Sequence, residues 1–293
     1  MEVIFVKRKV LNMLVILVLI VSGCSFTASN SEQSTLEKAR AEGKIVVGFS
    51  GEVPYAYLDE DGNLTGESVE VARAIFKKLG IEEMEGKLVK FDSLIPGLQN
   101  GSFDVITAGM YITPDRCLSV DFAEPDYTIG EALAVQPGNP KDIHSYEDIA
   151  ANEDITIAVM NGAIEIDYLK AVGVKDSQIE IVQDIPASIA AVESGRADAT
   201  TMTGPTLENA LKTANTDKIE IVEDFEQPVI DGESVRGYGA AAFRIGDDEI
   251  REAFNEELQK MKESGELLEI ISEFGFTENE IPYDVTAAEL CEG

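Results

Sequence analysis

The feature that most constrains the fold is a repeated alternation of short apolar runs with amphipathic stretches. Residues 45–47 form an uninterrupted apolar run, as expected for a strand buried on both faces of a parallel sheet. Residues 67–79 follow with apolar side chains at helical spacing and end at Gly80. A second series of this kind begins at Ile155, after a Pro- and Gly-rich break at 137–140. This order predicts an α/β fold with parallel sheets.

The charge of the chain is strongly acidic and restricts its partners. It carries 23 Lys and Arg residues against 55 Asp and Glu residues, a formal net charge of −32. Nucleic acids and anionic membrane surfaces would be repelled, so no nucleic acid is expected as a partner. The acidity has two possible origins, which are general solubility and adaptation to a saline habitat where mobile ions screen the self-repulsion.

The N-terminus has the pattern of a targeting segment. Basic residues at 7–9 precede an apolar stretch at 11–21, which as a helix spans roughly 15–18 Å, short of the roughly 30 Å of a bilayer core. Small residues then lead to Cys24, as in a bacterial lipobox. We therefore predict a lipoprotein signal peptide at 1–23, a lipid on Cys24 and a flexible tether at 24–34. Ordinary secretory cleavage nearby is the alternative.

The other two cysteines are Cys117 and Cys291. Outside the cytoplasm such thiols can pair, and a disulfide would pin the C-terminal tail beside residue 117. The sequence does not show whether the geometry allows this bond. No metal site is expected, because His144 is the only histidine and no zinc-ligand spacing occurs.

A candidate anion site surrounds Arg116. Thr113 is a good helix N-cap and Pro114 suits the first helical position, so the Arg116 guanidinium would lie near free backbone N–H groups. The alternative is that Arg116 only pairs with Asp115 or Asp121 on the surface. A second helix start, at 162–163, offers further backbone donors to the same anion.

Four other side chains are candidates for binding a cation. Each follows a strand or lies at its end, so they are expected on one rim of the fold: Glu52, Tyr55, Phe91 and Tyr111. A carboxylate with three aromatic rings makes a cation cage, worth roughly 0.5–2 kcal/mol per contact. Core packing of the rings and a solvated carboxylate are the alternatives.

Several segments together resemble a known family. GLQNGSFDVITAGMYITPDR followed by VDFAEPDY is similar to the family 3 solute-binding proteins, the capture subunits of ABC importers for polar amino acids. The resemblance runs over 36–276. Within that family the chain most resembles the ectoine- and hydroxyectoine-binding proteins, through GEVPYAY, SLIPGL, GNPKDIHSYEDIA, PVIDGESVRGYGAAAFR and FGFTENEIP.

The resemblance implies a periplasmic-binding-protein-like fold. Lobe I would comprise 35–132 and 238–293, and lobe II 133–237, with two hinge crossings and a ligand cleft between the lobes. The protein would be an extracytoplasmic monomer anchored to the cell membrane through Cys24. It would capture a small zwitterionic ligand, deliver it to the transmembrane subunits of an ABC permease, and have no catalytic residues and no cofactor.

The resemblance also assigns a ligand set. In the ectoine-binding proteins the positions of Glu52, Tyr55, Phe91, Tyr111 and Arg116 hold an acidic residue, three aromatic residues and an arginine. Ectoine, a cyclic amidinium bearing a carboxylate, would suit this set.

Two positions depart from the family members that bind α-amino acids. Ile164 stands where those proteins have a threonine, which leaves only the backbone near Gly162 as donor. Thr203 stands where they have an aspartate for the α-ammonium group. Both departures favour a ligand with a delocalised, caged cation.

Three alternatives stay open at this point. The chain could capture a polar amino acid or another betaine-like solute. It could be an enzyme such as a cyclohexadienyl dehydratase, which shares the fold, although no nucleophile elbow or triad motif is present. It could be a sensory module, although no signalling segment follows. The preference between ectoine and hydroxyectoine, the affinity and the permease contact surface are not determined by the sequence.

Overall fold

A computed structural model describes residues 33–230 and 232–292. The predicted signal peptide, Cys24 and most of the tether lie outside the described residues. Within that described part, no helix is both long enough and apolar enough to cross a membrane. The described residues from Ser34 onward form one compact unit.

The first lobe begins at the N-terminal end of this unit. Its elements, in chain order, are α1 (Thr35–Glu42), β1 (Lys44–Phe49), β2 (Tyr57–Leu58), β3 (Leu64–Thr65), α2 (Glu67–Lys78), β4 (Glu83–Leu88), α3 (Leu94–Gln99), β5 (Val105–Ile106), α4 (Pro114–Cys117) and β6 (Asp121–Phe122). A crossing strand, β7 (Tyr127–Ile129), then leaves this lobe.

The second lobe follows the crossing. Its elements are β8 (Glu131–Val135), α5 (Tyr146–Ala151), β9 (Ile157–Met160), α6 (Glu165–Ala171), β10 (Ile179–Val182), α7 (Ile185–Glu193), β11 (Ala199–Thr203), α8 (Gly204–Ala214), β12 (Glu220–Ile221), β13 (Val229–Ile230) and β14 (Glu233–Ser234). The return elements are β15 (Gly237–Gly239), β16 (Ala242–Phe243), α9 (Asp248–Ser264), α10 (Glu266–Ser272) and α11 (Ala287–Glu292).

Each lobe is built around a five-stranded sheet. The strand order is β4-β1-β5-β16-β6 in the first lobe and β10-β9-β11-β8-β12 in the second. β1, β4 and β5 are parallel, as are β9, β10 and β11, while β16 and β8 run antiparallel to their neighbours. The predicted α/β class is therefore confirmed. Because binding residues collect at the ends of parallel strands, this arrangement predicts a site where the two sheets face each other.

Two paired strands connect the lobes. β7 pairs antiparallel with β15, with Tyr127 opposite Gly239 and Ile129 opposite Gly237. The sequence predicts one strand over 129–135. The structure instead has two strands separated by Gly130, because β7 pairs with β15 whereas β8 pairs with β11 of the second sheet. The predicted division between residues 132 and 133 lies inside β8.

The C-terminal helices return to the first lobe. α9 and α10 bury one apolar face against α2 and β1, and the side chains that do so are Ile250, Phe254, Leu258, Met261, Leu267 and Ile271. Truncating one such core side chain to alanine typically costs about 2–5 kcal/mol.

The chain end is tied to the first lobe by a disulfide. Cys117 at the end of α4 and Cys291 in α11 are bonded, with their Cα atoms 5.7 Å apart. The pairing left open by the sequence is thus present in the structure. α11 consequently lies against the short helix that carries Arg116.

Candidate ligand-binding site

Arg116 is held where its guanidinium reaches both lobes. The Thr113 hydroxyl accepts a hydrogen bond of 3.2 Å from the Arg116 backbone N–H, and Pro114 occupies the first turn, as the sequence predicted. The guanidinium donates from Nη1 to the Tyr111 carbonyl at 2.8 Å and from Nη2 to the Gly162 carbonyl at 2.9 Å. Arg116 is thus oriented by backbone groups instead of by Asp115 or Asp121.

Phe91 supports the same guanidinium. The Arg116 Cζ atom lies 5.6 Å from the centre of the Phe91 ring, within range of a cation–π contact. Both side chains line the cavity between the lobes. Phe91 therefore orients the arginine through one ring face, a role that the cage interpretation did not assign to it.

Glu52 lines the same cavity from the turn after β1. Its carboxylate accepts a hydrogen bond of 2.9 Å from the Thr206 hydroxyl of the second lobe, and only 9% of the residue is exposed. Burial raises the pKa of Glu52 to about 7, against the opposing effect of the Thr206 hydrogen bond. Its protonation state is therefore sensitive to what binds beside it.

The three predicted aromatic residues separate into two groups. Phe91 and Tyr111 line the cavity, but Tyr55 does not. Tyr55 is 1% exposed and stacks on Tyr127 with ring centres 4.9 Å apart. Its hydroxyl donates to the Thr203 hydroxyl at 3.0 Å. In this conformation the Tyr55 ring packs in the core against Gly109, and contact between Tyr55 and a ligand stays a prediction.

The second-lobe residues that the sequence analysis selected lie at the cavity, but their hydrogen bonds differ from those predicted. The Gly162 carbonyl accepts the Arg116 hydrogen bond, and the Ala163 N–H donates to the Met160 carbonyl at 3.1 Å. The Ala163 donor is therefore not free for an anion, and α6 begins only at Glu165, later than predicted. Ile164 contributes an apolar wall.

Two carboxyl groups of the second lobe were missed by the sequence reasoning. Glu165 is the first residue of α6 and lines the cavity, and Glu131, the first residue of β8, lies behind it. Each is 5% exposed. The register of β8 and β11 places Glu131 opposite Thr203, but that register is not visible in the sequence. An acidic residue opening an otherwise apolar strand was the available signal.

These carboxyl groups perturb each other. Burial raises the pKa of Glu131 well above its ordinary value, and the neighbouring Glu165 carboxylate raises it further. Burial also raises the pKa of Glu165, although the adjacent Glu131 carboxyl group and the Arg116 charge oppose the effect. The second lobe therefore does provide acidic groups, which weakens the argument from Thr203 against an α-ammonium ligand.

The remaining space between the lobes is small. The cavity has a volume of about 40 Å³, room for roughly three water molecules at most. The side chains not yet described that line it are Met160, Ile185, Ser188, Thr201 and Met202. A ligand larger than this volume could enter only if the lobes separated, as a hinge at the paired β7 and β15 would allow.

Further hydrogen bonds join the lobes at the rim of the cavity. Asn161 donates to the Asp92 carboxylate at 2.6 Å, and Lys90 donates to Gln183 at 2.8 Å. With the Arg116–Gly162 contact they hold the cleft closed. In the described part of the chain, no group of three or more His, Cys, Asp or Glu side chains could hold a metal ion.

The arrangement can hold a dipolar solute. A fixed guanidinium lies on one side, buried carboxyl groups lie on the others, and two aromatic rings and apolar side chains fill the walls. Small-molecule sites commonly combine apolar walls with a few placed polar groups.

Comparison with known proteins also indicates a solute-binding protein. The model of the bacterial extracellular solute-binding proteins, family 3, matches residues 45–277. A probable amino-acid ABC transporter periplasmic-binding protein of Sinorhizobium fredii is 37% identical over 261 residues, 88% of this chain and 86% of that protein. The arginine-binding extracellular protein ArtP of Bacillus subtilis is 30% identical over 259 residues, 86% of this chain and 94% of that protein.

A solved structure is also similar. The crystal structure of EhuB in complex with hydroxyectoine superposes with a TM-score of 0.80 at 32% identity, covering 88% of this chain and 97% of that one. Proteins named as ABC transporter binding proteins are receptors and not enzymes, which removes the dehydratase alternative. The chain belongs to the bacterial extracellular solute-binding proteins of family 3, and it is the substrate-binding protein of an amino-acid-type ABC importer.

Proposed function

We propose that this protein captures ectoine or hydroxyectoine and delivers it to an ABC permease. The observation that carries the proposal is that one oriented guanidinium, Arg116, and the buried carboxyl group of Glu52 line the same narrow cavity. A compact zwitterion carries one charge of each sign and can therefore pair with both groups.

The anionic end of the solute would bind Arg116. A guanidinium has five N–H donors, of which Arg116 uses two on backbone carbonyls, so further donors remain for a carboxylate. The Phe91 ring keeps the guanidinium plane in position. Because lobe opening breaks the bond to Gly162, the solute carboxylate can take over that donor.

The cationic end would lie between Glu52 and the acidic wall of the second lobe. Tyr111 lines the same part of the cavity and offers a ring face to a delocalised amidinium. The likeness to EhuB, whose solved structure contains hydroxyectoine, supports this class of solute at 32% identity.

A cationic amino acid is the second candidate. Glu165 and Glu131 put acidic groups on the second lobe, where they could meet an ammonium or a guanidinium group. ArtP, named as an arginine-binding protein, is 30% identical to this chain. The small cavity favours the more compact solute.

The membrane anchor is part of the proposal. The short apolar stretch followed by Cys24 supports lipidation at that cysteine after removal of 1–23. We infer a monomeric receptor that is held at the outer face of the cell membrane by this lipid and exchanges solute with the permease there.

Isothermal titration calorimetry tests the ligand assignment. The chain from Ser25 onward is titrated with ectoine, hydroxyectoine, glycine betaine, proline and arginine. We expect micromolar or tighter binding of ectoine or hydroxyectoine, with Arg116→Ala and Phe91→Ala each losing it. Arg73→Ala, which removes a first-lobe arginine paired with Glu70, is the matched control and should bind normally. Tight arginine binding without ectoine binding would replace the first candidate by the second.

A further inference from the structure

Glu131 and Glu165 form a carboxyl pair in the second-lobe wall that ordinary side-chain pairing does not explain. Both residues are 95% buried. Among residues 33–230 and 232–292, neither carboxyl oxygen of Glu131 has a partner with hydrogen-bond geometry, and the neighbouring Tyr111 hydroxyl has none either. Buried polar atoms without partners are uncommon in native proteins and are often explained by an absent ligand or a functional role.

The surroundings of the pair are acidic. The titratable and charged groups that face it from the elements packed around it are Glu52 after β1, Tyr55 in the following turn, Tyr111 and Arg116 at α4, Tyr146 on α5 and Tyr168 on α6. In the described part of the chain, Arg116 is the one cation of this set. Two adjacent buried carboxylates repel each other strongly, so they cannot both be ionised at low cost.

We propose that Glu131 and Glu165 share one proton in the unliganded cleft, and that the cationic part of the bound solute displaces it. This inference rests on the proposed function only for the position of the solute in the cleft. The step balances: the protonated pair and the cationic solute give the ionised pair bound to the solute plus one proton released to the solvent. Glu165 contacts the solute, and Glu131 is a positioning residue that acts through Glu165.

The sign of the pH dependence follows from this step. Burial raises the pKa of both carboxyl groups in the unliganded protein, and a bound cation lowers it again. At pH values between the pKa of the solute-bound pair and that of the unliganded pair, binding therefore releases a proton. In this pH range the affinity for the solute rises with pH, by up to about tenfold per pH unit for one proton. Above the unliganded pKa of the pair the affinity levels off.

The pair also determines which solutes are accepted. A solute with a positive group near α6 gains from the ionised pair, whereas an anionic or uncharged solute leaves the proton in place and gains nothing. The importer would thus select for the cation of its solute through the second lobe and for the carboxylate through Arg116.

Calorimetry in several buffers measures the released proton. The full-length protein purified in detergent is titrated with ectoine between pH 5 and 8 in buffers with different ionisation enthalpies. The slope of apparent enthalpy against buffer enthalpy reports the protons released, and we expect the wild type to release about one proton more at its maximum than Glu165→Gln or Glu131→Gln, in which Glu52 still titrates. The pH profile of these two variants should be flatter, whereas Glu147→Gln, an exposed glutamate of α5, should match the wild type.

Each possible result of these titrations supports or contradicts the proposed proton shared by Glu131 and Glu165. Ectoine binding without proton release overturns the inference and leaves the proposed function standing. If ectoine does not bind, the proposed function fails, and the same titration with arginine still tests the pair. Loss of proton release in Glu52→Gln, with release unchanged in the two pair variants, assigns the proton to Glu52 and also overturns it. Thermal unfolding of every variant identifies one that fails to fold, and Glu165→Asp, which retains a carboxyl group, should restore the release.

Discussion

The Arg116 side chain of the first lobe donates a hydrogen bond of 2.9 Å to the Gly162 carbonyl of the second lobe. The same guanidinium donates to the Tyr111 carbonyl at 2.8 Å and lies over Phe91. One side chain therefore joins its own turn, an aromatic ring and the opposite lobe. We therefore propose that lobe closure and ligand binding are coupled through this arginine.

Replacing Arg116 by lysine tests whether its planar fork is required. Lysine keeps the charge but cannot make two parallel bonds, so we expect solute affinity to fall roughly tenfold to hundredfold. Calorimetry of Arg116→Lys beside Arg73→Lys measures the difference. Equal affinities in the two variants would show that charge alone is sufficient.

The hinge strand β15 needs a glycine beneath the Tyr111 ring. A Cβ atom on Gly237 would lie 1.7 Å from that ring, whereas one on Gly204 would meet only a carbonyl at 3.9 Å. We expect Gly237→Ala to displace Tyr111 and to weaken solute binding roughly tenfold or more, about 1.4 kcal/mol. Gly204→Ala should bind like the wild type, and an unchanged affinity in Gly237→Ala would contradict the role of Tyr111.

The disulfide joins Cys117 and Cys291, which are 174 positions apart in the sequence. Removing a cross-link of this kind typically costs about 2–5 kcal/mol. We expect Cys291→Ser, or reduction of the wild type, to lower the unfolding midpoint measured by circular dichroism. Thiol titration of the unreduced, denatured wild type should find neither of these two cysteines free.

A buried acid outside the cleft predicts how stability changes with pH. Burial raises the pKa of Asp126 to about 7, and Glu67 of α2 and Lys262 of α9 lie beside it. Between about pH 4 and 7 the folded protein keeps a proton that the unfolded chain releases, so this group lowers stability as pH rises. Lys262 retains its bonds to the Pro125 and Pro282 carbonyls without the acid.

Asp126→Asn should therefore be more stable than the wild type at pH 8, by on the order of 2–4 kcal/mol, and nearly equal to it at pH 4. Urea unfolding at both pH values measures this difference. Asp217→Asn, an exposed control, should follow the wild type at each pH. A constant difference for Asp126→Asn across pH would contradict the linkage.

The proposed lipidation of Cys24 can be measured directly. Expression of the full-length chain in bacteria with labelled palmitate should label the wild type and leave Cys24→Ser unlabelled. The wild type should sediment with membranes, and processing before residue 24 should stop in the variant, since lipid transfer precedes that cleavage. Labelling of Cys24→Ser would place the lipid elsewhere.

Local patterns in the sequence predicted much of the fold and part of the site. Apolar runs and helical periodicity predicted the α/β order, because strands and helices bury one or two faces with fixed spacing. The pair Thr113 and Pro114 predicted where α4 begins and so where Arg116 lies, since capping depends only on near neighbours. The acidic composition made nucleic-acid binding improbable.

The composition of the cleft was decided by the tertiary structure. The Tyr55 ring packs in the core and does not line the cavity, because it stacks on Tyr127, which lies 72 residues further along the chain. Glu131 lies behind the wall of the cleft because β8 pairs with β11 in a register that puts it opposite Thr203. Helix caps and apolar periodicity follow from neighbouring residues, and the sequence determines them by itself. Which side chains meet across two lobes depends on strand register and lobe closure, contacts between distant segments that only the folded chain brings together.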